Sequence, residues 1–80
     1  MKKELLVAGL DLGPRQFVLA AGRIQESQRL VVQAVESVPA QGFEKEGLSD
    51  AVECADAVSR LVRQAERVLS DRIGSAVVSF

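Results

Sequence analysis

The chain opens with six consecutive apolar positions, Leu5-Leu6-Val7-Ala8-Gly9-Leu10, closed by Asp11 and then by Gly13-Pro14. Apolar residues at every position, rather than every second one, predict a strand covered on both faces. Gly9 inside it predicts a close approach by a neighbouring backbone or side chain. Gly13-Pro14 reverses the chain. A second apolar run, Gln16 to Ile24, follows at once. Gln25 to Arg29 is polar and of hairpin length. Leu30 to Val38 is rich in β-branched residues, which favour a pleated surface. Its polar positions Gln33, Glu36 and Ser37 place this third strand nearer a sheet edge. Pro39 to Leu48 carries Pro39, Gly42, Gly47 and three charges, and reads as a plain connector with Phe43 tucked back as an anchor.

The period then changes. Apolar residues fall at Ala51, Ala55, Val58, Val62, Ala65 and Leu69, widened by Cys54, Leu61 and Val68. Glu53, Asp56, Arg60, Arg63, Arg67 and Asp71 lie opposite. This is an amphipathic helix laid on a sheet. Asp50 with Glu53 has capping-box spacing, in a variant with Asp at the cap, and Asp56 with Arg60 is an i,i+4 pair. Ile73 to Phe80 is a fourth apolar run. The pattern as a whole predicts strands over 4–11, 16–25, 29–38 and 73–80 and a helix over 50–71. A strand that follows a crossover helix lies parallel to an earlier strand, and the first is the most apolar candidate. The expected fold class is therefore α/β, ordered β-β-β-α-β. Three strands are antiparallel, the fourth is parallel, and the sheet order is 3-2-1-4. An apolar strand reaching Phe80 predicts either a longer protein or a partner that covers the exposed face.

Composition narrows the chemistry. Eighty residues make at most one small domain, and 48% hydrophobic with 26% charged residues excludes disorder. The net charge of -1 gives no basic excess for nucleic acid or an anionic membrane. The arginines of the helix alternate with acids, which reads as a solvated face. The single Cys54 has no disulfide partner in the chain and fits a small core residue in a reducing, cytoplasmic compartment. No histidine is present, so no Ser-His or Cys-His nucleophile exists within these residues, and no soft metal site can be assembled from one cysteine. The phosphate-loop and dinucleotide signatures are missing. With no tryptophan or tyrosine, a base-stacking platform is not expected. What remains is Asp11 carried out of a strand into a glycine turn. Such an acid can hold a metal-bound phosphate, and the same spacing also suits an ordinary hairpin.

The ordered combination resembles a known group. Strand, Asp-x-Gly turn, two antiparallel strands, helix and parallel strand form the half-domain of the ribonuclease H-like and actin-like ATPase folds. Within that group the chain resembles the start of FtsA-type bacterial cell-division proteins. The resemblance rests on Val7-Ala8-Gly9-Leu10-Asp11-Leu12-Gly13, Ala21-Gly22-Arg23-Ile24 and Val35-Glu36-Ser37-Val38-Pro39. Gly42-Phe43-Glu44-Lys45, Asp50, Gln64-Ala65-Glu66-Arg67 and Ser75-Ala76-Val77-Val78 add to it.

The resemblance implies an ATP-binding protein that ties the FtsZ ring to the cytoplasmic face of the membrane, through regions outside these residues. It implies that Asp11 approaches Mg²⁺ through water and that the backbone at Gly13 meets phosphate. A hard cation prefers such oxygen ligands, and turn N–H groups favour anions. Pro14 departs from the Thr or Ser of the family and offers neither hydroxyl nor N–H, so ATP binding is expected to be impaired. Arg15 is the nearby cation that could compensate. The second phosphate turn of the family would lie beyond Phe80, and these residues alone are not expected to hydrolyse ATP. Two other classes share the opening pattern. One is a non-catalytic, self-associating assembly module related to actin-like pilus-assembly proteins. The other is a ribonuclease H-like resolvase or nuclease, which needs clustered carboxylates, whereas the fourth strand carries no acid.

Overall fold

The computed structural model describes residues 5–79. Strands β1 (Leu5–Leu12), β2 (Gln16–Ile24) and β3 (Leu30–Pro39) form an antiparallel meander. Two short strands, β4 (Phe43–Glu44) and β5 (Gly47–Leu48), make a separate ribbon. Helix α1 (Ala51–Leu69) follows, and β6 (Val77–Ser79) closes the chain. The main sheet has the order β3-β2-β1-β6, with β6 parallel to β1. This is the expected small mixed α/β domain, with β3 at one edge.

One layer of helix covers one face of the sheet. Leu10, Phe17, Leu19 and Ala21 point from the sheet toward Cys54, Ala57, Leu61, Ala65 and Leu69 of α1. Phe17, Leu19 and Leu61 are the largest fully buried side chains. The helix begins where Asp50 accepts the Glu53 N–H at 3.0 Å, which satisfies one orphan amide of the first turn. It ends at Ser70, which takes the left-handed conformation (φ 54°) and donates its N–H to the Glu66 carbonyl.

Several expectations need correction. The helix spans Ala51–Leu69, within the 50–71 expected. Its buried stripe runs through Cys54, Ala57, Leu61, Ala65 and Leu69, while Ala51, Ala55 and Val68 are exposed. Cys54, Leu61, Ala65 and Leu69 are as expected, and Ala57 replaces Ala51 and Ala55 because Ala fits either face of a helix. The last strand is three residues long and not eight, since only Val77–Ser79 run alongside β1; Phe80 and Glu4 lie outside the described residues. The first strand is covered on one face only among the described residues, because one helix serves the whole sheet. The Asp56–Arg60 pair does not form, and the ion pair among the described residues is Arg23–Asp71 at 3.0 Å. The segment from Pro39 to Leu48 is more than a connector. Its ribbon seats Phe43 edge-on against Phe17, with ring centroids 6.3 Å apart, as expected of an anchor.

Glycine roles also shift. A Cβ on Gly9 would meet open space, so no close neighbour explains it. Gly22 and Gly42 are the glycines that close approaches require: a Cβ would collide with the Val31 carbonyl at the first and with the Asp50 carbonyl at the second. The register of β2 and β3 slips at Gly22, pairing Ala21 with Ala34 but Gly22 with Val32, so Gln33 is the extra residue of a bulge.

Candidate functional site

The turn after β1 and the parallel pairing of β1 with β6 determine what surrounds Asp11. Residues paired across a sheet share a face, so Asp11 lies beside Val18 on one side and Ser79 on the other. The Ser79 hydroxyl donates to Asp11 Oδ1 at 3.1 Å. Both residues are exposed and sit on the sheet face that α1 does not cover. They lie at the carboxyl ends of the two parallel strands, the place where open α/β sheets bind ligands. Ser79 is the partner that the sequence reading missed. Its signal was positional, since a strand parallel to β1 must place some residue opposite Asp11.

The turn after Asp11 is self-satisfied. The Gly13 N–H donates to the Gln16 carbonyl at 3.1 Å, and the Ala40 N–H donates to the Arg15 carbonyl at 3.1 Å. The second bond ties the turn to the end of β3, on the side where Phe17 and Phe43 meet. Arg15 is exposed, and among the described residues no ion pair joins it to Asp11. The structure therefore brings Asp11 to Ser79, keeps Gly13 two residues away with its amide engaged, and leaves Arg15 in solvent.

This donor set fits one kind of group better than another. A hydrated Mg²⁺ keeps several waters and needs only one or two carboxylates, which Asp11 with the Ser79 hydroxyl can serve through water. A triphosphate needs N–H donors from the turn. Gly13 has spent its donor within the turn and Pro14 has none. Among the described residues no group of three or more His, Cys, Asp or Glu side chains is placed to hold a metal ion.

At the opposite end of the sheet Arg23 clamps β2 to the exit of the helix. Its guanidinium bonds both Gln33, the bulge residue, and Asp71. The Asp71 carboxylate also accepts the Arg72 N–H at 2.8 Å. That backbone bond first, and the Arg23 guanidinium second, hold the Asp71 carboxyl below its usual range. Glu66 accepts the Ile73 N–H at 2.7 Å and directs the chain toward β6. These are structural clamps at the other end of β1 from Asp11, since Arg23 pairs with Leu6.

Neither a family model nor a curated protein matches the chain. No helix among the described residues is long and apolar enough to cross a membrane.

Proposed function

We propose that the chain is a structural assembly protein of the actin-like kind, FtsA-like, in which the Asp11 turn is a weakened Mg-ATP site. The observation that carries this reading is the Asp11–Ser79 pair at the carboxyl ends of two parallel strands, in a sheet ordered β3-β2-β1-β6. An acid at that place, followed by a glycine turn, supports a hydrated cation with phosphate beyond it. In this reading Asp11 orients the water shell of Mg²⁺, Ser79 fixes the carboxylate, and the turn contributes little to the phosphates. Two charge-assisted hydrogen bonds fewer, at about 1.5–3 kcal/mol each, move a micromolar site to roughly the millimolar range. The biological role is then assembly with FtsZ or another cytoskeletal protein at the cytoplasmic face of the membrane, and needs no hydrolysis.

The engaged Gly13 amide favours a second reading, a non-catalytic actin-like assembly module with no nucleotide at all. The nuclease reading gains no support, because Val18 and Ser79 flank Asp11 and neither is a carboxylate. Calorimetric titration of the full chain with Mg-ATP, beside Pro14→Thr and Asp11→Asn, separates these. The proposal expects weak binding, tightened roughly tenfold or more by Pro14→Thr and lost in Asp11→Asn. No binding by the chain or by Pro14→Thr removes the nucleotide and leaves the assembly module. Co-sedimentation with FtsZ filaments tests the assembly role itself.

A further inference from the structure

We propose that the sheet face left open by α1 is a self-association surface, and that its occupant is the same face of a second copy of this chain. The inference stands on the face itself and does not require the nucleotide reading.

The face is apolar across its width. Val77 is 78% exposed, Val35 62% and Val32 56%. Its relief is ordered. Gly9, Ala20 and Gly22 form a valley along the middle of the sheet, between a ridge of Leu30, Val32 and Val35 on β3 and the side chains of Val7 and Val77. The bulge builds that ridge. Val32 and Val35 are three apart and would point to opposite faces of a regular strand. The extra residue Gln33 turns both to the open face, while Arg23 holds Gln33. Gly22 permits the bulge, and its missing side chain deepens the valley opposite.

Three features favour a second copy as the occupant. The first is shape. A ridge beside a valley of small residues is complementary to itself, since a two-fold axis places each ridge in the valley of the other copy. The second is charge. Among the described residues Asp11 is the one charged residue in register on this face, it lies at the rim, and Ser79 already bonds it. A charged partner would find nothing to pair with, whereas a second apolar face needs no counter-charge. The third is size. Three strands of 8, 9 and 10 residues and the three-residue β6, about 4.8 Å apart, give a face of roughly 480 Å² in projection. Two of them stacked about 10 Å apart bury on the order of 1,000 Å², the threshold for a specific interface.

The test is sedimentation velocity of the full chain across a wide concentration series, with Val32→Asp and Val35→Lys run beside it. Val52→Asp, on the exposed face of α1, is the control. The expected result is a reversible dimer whose dissociation constant rises about a hundredfold or more in Val32→Asp, because the charge would be buried unpaired. The control leaves it unchanged. Far-UV circular dichroism checks the fold of each variant. Val35→Lys decides the matter if Val32→Asp does not fold, since that side chain already points to solvent on an edge strand. A chain that stays monomeric throughout overturns the proposal. So does a dimer that survives both substitutions, which would indicate pairing along a strand edge instead.

Discussion

The two faces of this sheet are made from the same strands and have different jobs. On the helix side, large side chains from alternate positions of β2, Phe17 and Leu19, meet Leu61 with no exposed surface. On the other side the same strand offers Ala20 and Gly22, and β1 offers Gly9. One face is filled by bulk and is closed. The other is apolar but open, small in the middle with larger side chains on β3 and β6, and among the described residues its one acid is Asp11 at the carboxyl rim. The difference teaches that hydrophobicity in a strand does not by itself report burial. Leu5 to Leu10 is continuously apolar, yet only Leu10 of that run is buried.

The largest effect should come from cutting into the closed face. Leu61→Ala is expected to destabilise the chain by about 2–5 kcal/mol, because the site cannot fully collapse. Val35→Ala, on the open face, should cost less than about 0.5 kcal/mol in the monomer. Equal losses in chemical denaturation would erase the distinction between the faces. Next comes the bulge. Gly22→Ala should cost about 1–3 kcal/mol, since the new methyl meets the Val31 carbonyl. Gly9→Ala points into open space and should be neutral or stabilising by up to about 1 kcal/mol.

A smaller change sharpens the account of the helix. Ser70→Gly relieves a left-handed Ser and should raise stability by about 1 kcal/mol, seen as a higher midpoint in thermal unfolding. The smallest effect belongs to the clamp at the far end. The Asp71 carboxyl titrates below its usual range in the folded chain. Its contribution is therefore complete above the ordinary carboxylate pKa and disappears as pH falls through the depressed value. Asp71→Asn should lower the melting temperature slightly at neutral pH and leave it unchanged at the acid end. A difference that grows toward low pH would contradict that sign.

Much of the fold was legible because local signals were strong. The β-branched run of Leu30 to Val38, the change of period at Asp50 and the Asp50–Glu53 cap each belong to one element and need no distant partner. Other features were hidden because they depend on what lies across the sheet. The Gln33 bulge is invisible until Gly22 is known to pair with Val32. The β4–β5 ribbon has only two residues in each strand, too few for a period. Ala57 is fully buried but carries no more signal than the exposed Ala55. At the candidate site, the turn identified Asp11, while Ser79 emerged only from the parallel register. The engaged amide of Gly13 could not be read from any spacing.

The most direct test of that site is paramagnetic line broadening by Mn²⁺ in the amide spectrum of the ¹⁵N-labelled full chain. Mn²⁺ takes the same oxygen ligands as Mg²⁺. Selective broadening at Asp11, Leu12 and Ser79, abolished by Asp11→Asn, is the predicted result. Broadening confined to the acidic residues of α1, or none at these three amides, would contradict a cation site at the carboxyl ends of β1 and β6.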